Sequence, residues 1–146
     1  MSDSMELDPA VVEIGKFYAR PPEVVWGGIT EPDLLAQWLM RPVGFDTTIG
    51  NRFILAVPTR PTGEIACEIL RVRQGERLGY SWVDLRAPSP ARWTLDFSLA
   101  SQGRGTRLLL THAGFDISDR KQKMARNALE RGWKVALSKL NDVLDG

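Results

Sequence analysis

The side chains of this 146-residue chain that could do chemistry are few: one histidine, one cysteine, an inward tyrosine and a spaced pair of glutamates. His112 shares one side of an alternating run with Leu108 and Leu110, which turns its ring inward near a strand end. An imidazole titrates near neutral pH and could exchange a proton at the mouth of a cavity. It could also be structural, bonding backbone beside the Ala113-Gly114-Phe115 turn, and that is the expectation. Tyr80 is the other inward polar tip, whose hydroxyl either orients a ligand or reaches a buried carbonyl. Cys67 has no second cysteine or histidine nearby and is expected as a small buried hydrophobe. Glu64 and Glu68 lie four apart on one strand face, and solvated surface is the expected reading. A single histidine excludes an HExxH zinc site and multi-histidine ligand sets. There is no G-x-S-x-G elbow and no P-loop lysine motif, and Gly103-Arg104-Gly105 reads as a hairpin turn. No catalytic residue, metal or cofactor is assigned.

The aromatic residues carry a different message. Trp38, Trp82, Trp93 and Trp133 sit on separate elements, together with Phe53, Phe97 and Phe115. Converging on one interior, they make either an ordinary core or an apolar ligand pocket with a few placed polar groups.

The elements that must position them follow from the pattern. Residues 1–9 read as a flexible polar tail. A strand-like alternation runs from Val12 to Tyr18 and ends at Pro21-Pro22. Glu23 to Ile29 reads as a short helix in which Gly27-Gly28 suggests a close bend. Thr30-Glu31-Pro32-Asp33 reads as a new helix start, with Thr30 able to cap it and Asp33 in the position of a capping-box acid. Leu34, Leu35 and Trp38 give that second helix its apolar side. The period then falls to two. Runs around Phe53–Val57, Glu64–Val72, Leu78–Trp82, Trp93–Leu99 and Leu108–His112 are separated by short turns, as in an antiparallel meander. The segment from Ser118 to Asp145 returns to helical spacing, with Met124, Ala128, Trp133, Leu137, Leu140 and Leu144 as its apolar stripe. Arg120, Lys123, Arg126, Glu130, Lys134 and Asp142 mark the opposite face.

A sheet with one face to bury, and one helix long enough to bury it, make a two-layer α+β arrangement. At this length a domain buries roughly 70% of its unfolded surface and needs no disulfide or metal. A formal net charge of +1 argues against a dedicated nucleic-acid binder. One cysteine forbids an internal disulfide and fits a reducing, cytoplasmic compartment. No apolar run is long enough to span a bilayer, so no membrane partner is expected.

Three stretches resemble a known family. They are Pro21 to Trp26 with Ile29 to Trp38, Glu76 to Trp82, and Gly105 to Phe115 followed by Gly132-Trp133 with Leu137 and Leu140. Together they are similar to the opening, central strand, last strand and final helix of AHSA-type proteins. These are bacterial relatives of the C-terminal domain of the heat-shock protein 90 ATPase activator, within the START/SRPBCC helix-grip superfamily. The resemblance covers residues from about 10 to the end, taken as a single domain over 10–146. It implies a curved antiparallel sheet of about six or seven strands wrapped around a long C-terminal helix, with two short helices after the first strand. It also implies a deep cavity under that helix. It does not imply chaperone stimulation, because the eukaryotic activator has an additional N-terminal domain for which this chain has no room.

The expected function is binding of a small hydrophobic or aromatic molecule. Its lining would be Trp38, Phe53, Tyr80, Trp82, Trp93, Phe97, His112, Phe115, Trp133 and Leu137. Two alternatives stay open. One is a small cyclase- or hydrolase-like enzyme with His112 and Tyr80 as acid–base groups, which requires both side chains in one cavity. The other is a stress-response or chaperone-interacting protein without a ligand, with a protein partner or a homodimer. That alternative requires an exposed apolar patch and a filled interior.

Overall fold

A computed structural model describes residues 9–146, so all but the last residue of the expected tail lies outside the described residues. The chain runs β1 (Val12–Tyr18), α1 (Pro22–Thr30), α2 (Pro32–Trp38), β2 (Arg41–Val43), β3 (Arg52–Val57), β4 (Gly63–Arg73), β5 (Arg77–Asp84), β6 (Arg92–Gln102), β7 (Gly105–Ala113) and α3 (Arg120–Asp145). The seven strands form one antiparallel sheet in the order β1-β7-β6-β5-β4-β3-β2. Strands β2 to β7 are the expected meander, and β1 closes the order by pairing with β7, Val12 opposite His112. This is an α+β helix-grip architecture, with two short helices after the first strand.

Alternation sets which side chains are buried. On β6, Trp93, Leu95, Phe97 and Leu99 point to the core, and on β7, Leu108, Leu110 and His112 do the same. Between β4 and β5 the register shifts at Ile69/Arg71, a bulge that raises local twist and helps the sheet curve. Cys67 is buried and without a disulfide partner, and burial pushes its thiol up to about 12, so it behaves as a small inert apolar group. Glu68 pairs across the strands with Arg52, while Glu64 stands opposite Ala56, so the two carboxylates do not act together.

Helix α3 covers the sheet, but its inner stripe is not the expected one. Trp133, Leu137, Leu140 and Leu144 are buried, whereas Met124 is 61% exposed and Ala128 is also on the outer side. In the first half of the helix the inward positions belong to Gln122, Ala125, Arg126 and Leu129. Arg126 therefore leaves the basic outer face. It donates from Nη2 to the Val11 carbonyl at 2.8 Å and pairs through Nη1 with Glu130. The start of the helix is fixed by Asp119, whose carboxylate accepts from the backbone N–H groups of Lys121 and Gln122.

The two short helices also differ in detail. Thr30 does not cap α2. It closes α1, and its hydroxyl donates back to the Trp26 carbonyl at 2.7 Å. The residue before α2 is Glu31, and Asp33 makes no capping box. α1 runs as one helix through Gly27-Gly28. A Cβ on Gly28 would sit 2.9 Å from the side-chain tips of both Leu140 and Leu144, so its missing side chain lets α3 approach α1 closely.

Polar groups tie α3 and the short helices to the frame. The Tyr18 hydroxyl donates to the Leu137 carbonyl at 2.7 Å, and the Trp38 indole N–H donates to the Gly28 carbonyl at 2.8 Å. Both pairs are buried, where such bonds are costly to lose. Leu140 is fully buried at this junction. Leu140→Ala is expected to destabilise the protein by about 2–5 kcal/mol. The drop would be read as a lower urea midpoint at unchanged slope. A loss below about 1 kcal/mol would show that α3 is not the main cover of the sheet.

Candidate functional site

The ten side chains singled out from the sequence are all buried, and most of them touch. Phe53 packs edge-on against Tyr80 with ring centroids 5.1 Å apart, and Tyr80 lies 6.3 Å from Phe97. Phe97 in turn meets Trp38 and Trp133, each at 6.3 Å. Trp133 continues to Trp82 at 5.6 Å, and Trp93 stacks near Phe115 at 4.5 Å. Phe45, not anticipated, extends the chain by an edge contact with Phe53 at 4.9 Å. These spacings are those of packed aromatic pairs. The space that the resemblance implied as a deep cavity is thus occupied by rings in contact.

His112 sits at one end of this network, fully buried among Trp82, Trp93, Phe115 and Trp133, with centroids 5.1 to 6.1 Å from its own. Its Nδ1 accepts a hydrogen bond from the Trp133 indole N–H at 3.0 Å. An indole nitrogen can only donate, so Nδ1 must be unprotonated and the neutral ring carries its hydrogen on Nε2. Nε2 is buried and has no hydrogen-bond partner among the described residues. The expected structural bond to backbone near residues 113–115 is replaced by this bond to Trp133. Burial among rings pushes the imidazole pKa from 6.5 down to about 3.

Tyr80 does not join His112. Both stand on one cross-strand row, but Leu95 lies between them, paired with Tyr80 on one side and His112 on the other. Two strand spacings put their backbones roughly 10 Å apart. Burial drives the Tyr80 hydroxyl well above its ordinary pKa of 10 while it drives His112 down. Proton transfer near neutral pH needs groups tuned toward 7, and these two are moved away from it.

Open space lies beside the ring network. A groove of about 260 Å³ runs between the α2–β2 junction, Trp82 of β5 and the outer flank of α3. Of the ten sequence candidates, Trp38, Trp82 and Trp133 line it, while the other seven stay in the packed interior. The sequence reading missed the rest of the wall, namely Leu39, Met40, Ala128, Leu129, Gly132, Val135, Ala136 and Lys139. A signal existed: Ala128, Gly132 and Ala136 recur every four residues, a strip of small side chains on one helix flank. Gly132 has no neighbour within 4 Å of where a Cβ would stand. A wider, open recess of about 510 Å³ lies against Glu23, Trp26, Glu31, Phe45 and Asp46, and its wall is mostly polar. Among the described residues no three His, Cys, Asp or Glu side chains are grouped to hold a metal ion. No described helix is long and apolar enough to cross a membrane.

With this geometry in place, the chain can be set beside known proteins. The family model of Activator of Hsp90 ATPase homolog 1-like proteins matches residues 19–145, and the chain belongs to that family. Its fold is the AHSA1/SRPBCC fold, which is shared by ligand-binding and polyketide-cyclase-like proteins. Protein MLL2253 of Mesorhizobium loti is similar at 29% identity and TM-score 0.83, over 92% of this chain and 96% of that one. CalU16 of Micromonospora echinospora is similar at 28% identity and TM-score 0.75, over 92% of this chain and 75% of that one. Protein CV1439 of Chromobacterium violaceum shares the fold at 20% identity and TM-score 0.80, over 95% and 99% of the two chains. A comparison with curated proteins gave no match.

The buried imidazole sets a pH dependence. In the unfolded chain His112 takes up a proton below about pH 6.5, whereas the folded chain resists it to about pH 3. The associated stability is full above pH 6.5 and is lost progressively as pH falls toward 3. A gap of this size corresponds to a loss on the order of 4 kcal/mol. Urea unfolding of wild type and His112→Phe between pH 7 and 4 checks it. The wild-type curve should fall more steeply, and parallel curves would mean that His112 titrates normally in the fold.

Proposed function

We propose that this protein binds a small apolar, aromatic molecule in the groove between α2, β5 and α3. The carrying observation is the pairing of three tryptophans, Trp38, Trp82 and Trp133, with the small flank Ala128-Gly132-Ala136 around one open volume. Flat rings and small side chains around one volume leave a slot that suits a flat guest. A volume of about 260 Å³ is a little under the usual range for drug-sized ligands, which favours a molecule of two or three fused rings. Membership of the family and of a fold used by ligand-binding relatives supports the same reading. The remaining candidates, Phe53, Tyr80, Trp93, Phe97, His112, Phe115 and Leu137, would form the support behind the wall. We take residues 10–146 as one domain acting in the cytoplasm, with a small apolar molecule as its partner. A chaperone-type partner has the packed interior in its favour, whereas turnover has no specific observation behind it.

Burying apolar surface at about 25 cal/mol per Å², less association costs, gives affinities in the micromolar range for such a guest. Gly132 offers a clean block, because a side chain there enters open space and replaces the poorest non-proline helix former. Titration with the neutral fluorophore N-phenyl-1-naphthylamine should show micromolar binding to wild type. Gly132→Leu should weaken it at least about tenfold without lowering the urea midpoint. Undiminished binding by Gly132→Leu would move the site elsewhere, and no binding to either would remove the reading.

A further inference from the structure

We infer that the guest of the groove is an aromatic monocarboxylate, whose rings lie among the tryptophans and small residues of the wall and whose carboxylate is met by Lys139. The inference rests on the groove reading and adds one negative charge to the apolar body that reading calls for. Among the described residues that line the groove, Lys139 alone is charged, and no carboxylate stands with it in the wall. Its place on the helix matters as well. Ala128, Gly132, Ala136 and Lys139 follow one another on one flank of α3 at steps of four, four and three residues. Lys139 is the last of them, so the charge stands at one end of the strip. At 1.5 Å per residue, Gly132 and Lys139 are about 10 Å apart along the axis. That spacing suits a flat body lying along the flank with its polar group at the C-terminal end. Lys139 is exposed. Its apolar stem can line the wall while its ammonium stays in water. A carboxylate held there keeps part of its own hydration and avoids the cost of burying a bare charge among rings.

No acid of the protein already occupies this lysine. Glu130 is the one acidic residue between Ala128 and Lys139, and it is shared by Arg126 and Lys134. Asp145, further along, pairs with Arg20. Lys139 makes no ion pair among the described residues. Other guest classes fit less well. A cation would meet Lys139 in the wall, with Arg131 and Lys134 on the same stretch of helix. A phosphate monoester brings close to two negative charges near pH 7 against one cation, and the wall has no arginine fork to take its oxygens in pairs. An ion pair with an exposed ammonium changes affinity only a few-fold, so the rings hold the guest and the lysine selects it.

The test uses 2-naphthoate and 2-naphthamide, which share a shape and differ by one charge. Their dissociation constants are measured near neutral pH and at low salt by displacement of N-phenyl-1-naphthylamine from wild type, Lys139→Met and Lys134→Met. The ratio of acid to amide affinity should fall about three- to fivefold in Lys139→Met. It should hold in Lys134→Met, which removes the same charge outside the groove wall. In wild type the ratio should also fall as salt rises, because an exposed pair is screened. Each ratio is taken within one protein, so a change in the folded fraction of a variant cancels. An unchanged ratio in Lys139→Met, an equal fall in Lys134→Met, or binding of the amide alone overturns the inference and leaves the groove reading intact. If neither compound binds wild type, the groove reading falls and this inference falls with it.

Discussion

The constraint on which everything else depends is that one sheet face must be buried and α3 alone is long enough to bury it. At 26 residues the helix spans about 39 Å, enough to lie across the strands it covers. Its C-terminal half meets this demand in the ordinary way, with Trp133, Leu137, Leu140 and Leu144 at helical spacing. Three devices fix how deeply it sits. Gly28 removes the side chain that would hold α1 away, Tyr18 binds the Leu137 carbonyl, and Trp133 binds His112 on β7. Each couples the helix to a different part of the frame, so the C-terminal half of α3 is fixed in register.

The N-terminal half of α3 is held differently. Its inward residues are Gln122, Ala125, Arg126 and Leu129, which bury less apolar surface than the four anchors that follow. Polar contacts take over: Gln122 accepts from the Trp93 indole and the Asp116 backbone, and Arg126 reaches Val11. Arg126 also keeps a buried Nε without a partner. Together with His112 Nε2, that makes two buried nitrogens without a partner among the described residues, one on this half-helix and one on the strand that pairs with β1. Local stability follows apolar contact and satisfied polar groups, so this end of the helix is the weaker end of the cover. The groove runs past the middle of the helix, from Ala128 to Lys139, where the two kinds of anchoring meet.

Much of this was legible in the sequence because burial and period are coupled. Alternation on β6 and β7 identified Phe97, His112 and their neighbours as inward, and the terminal stripe identified the cover. Local propensity was a poorer guide where tertiary contacts intervene. Met124 fits a helical apolar stripe by spacing, yet the stripe rotates away from it because Trp133 and Leu137 set the phase. Gly28 looks only like a weak helix former until the leucines packed over it are seen. Arg126 looks like surface charge until its carbonyl partner is placed. The site was half legible: aromatic residues could be counted, but whether they enclose space or fill it depends on ring contacts set by rotamers. The small residues of the wall, Ala128, Gly132 and Ala136, were the least visible, since a strip of small side chains carries meaning only once a facing surface is known.

Filling the interior with aromatic rings has a consequence for chemistry. Rings satisfy a curved sheet well, because each buries a large area with few rotatable bonds. They also make the surroundings of any polar group dry. In that setting His112 is held neutral and Tyr80 is held protonated, which removes both from proton transfer near neutral pH. The same dryness raises the worth of a single hydrogen bond, since no water competes for it. A fold of this kind gives up acid–base reactivity for a dry, rigid interior, and the Trp133–His112 bond fixes the imidazole there as a neutral donor.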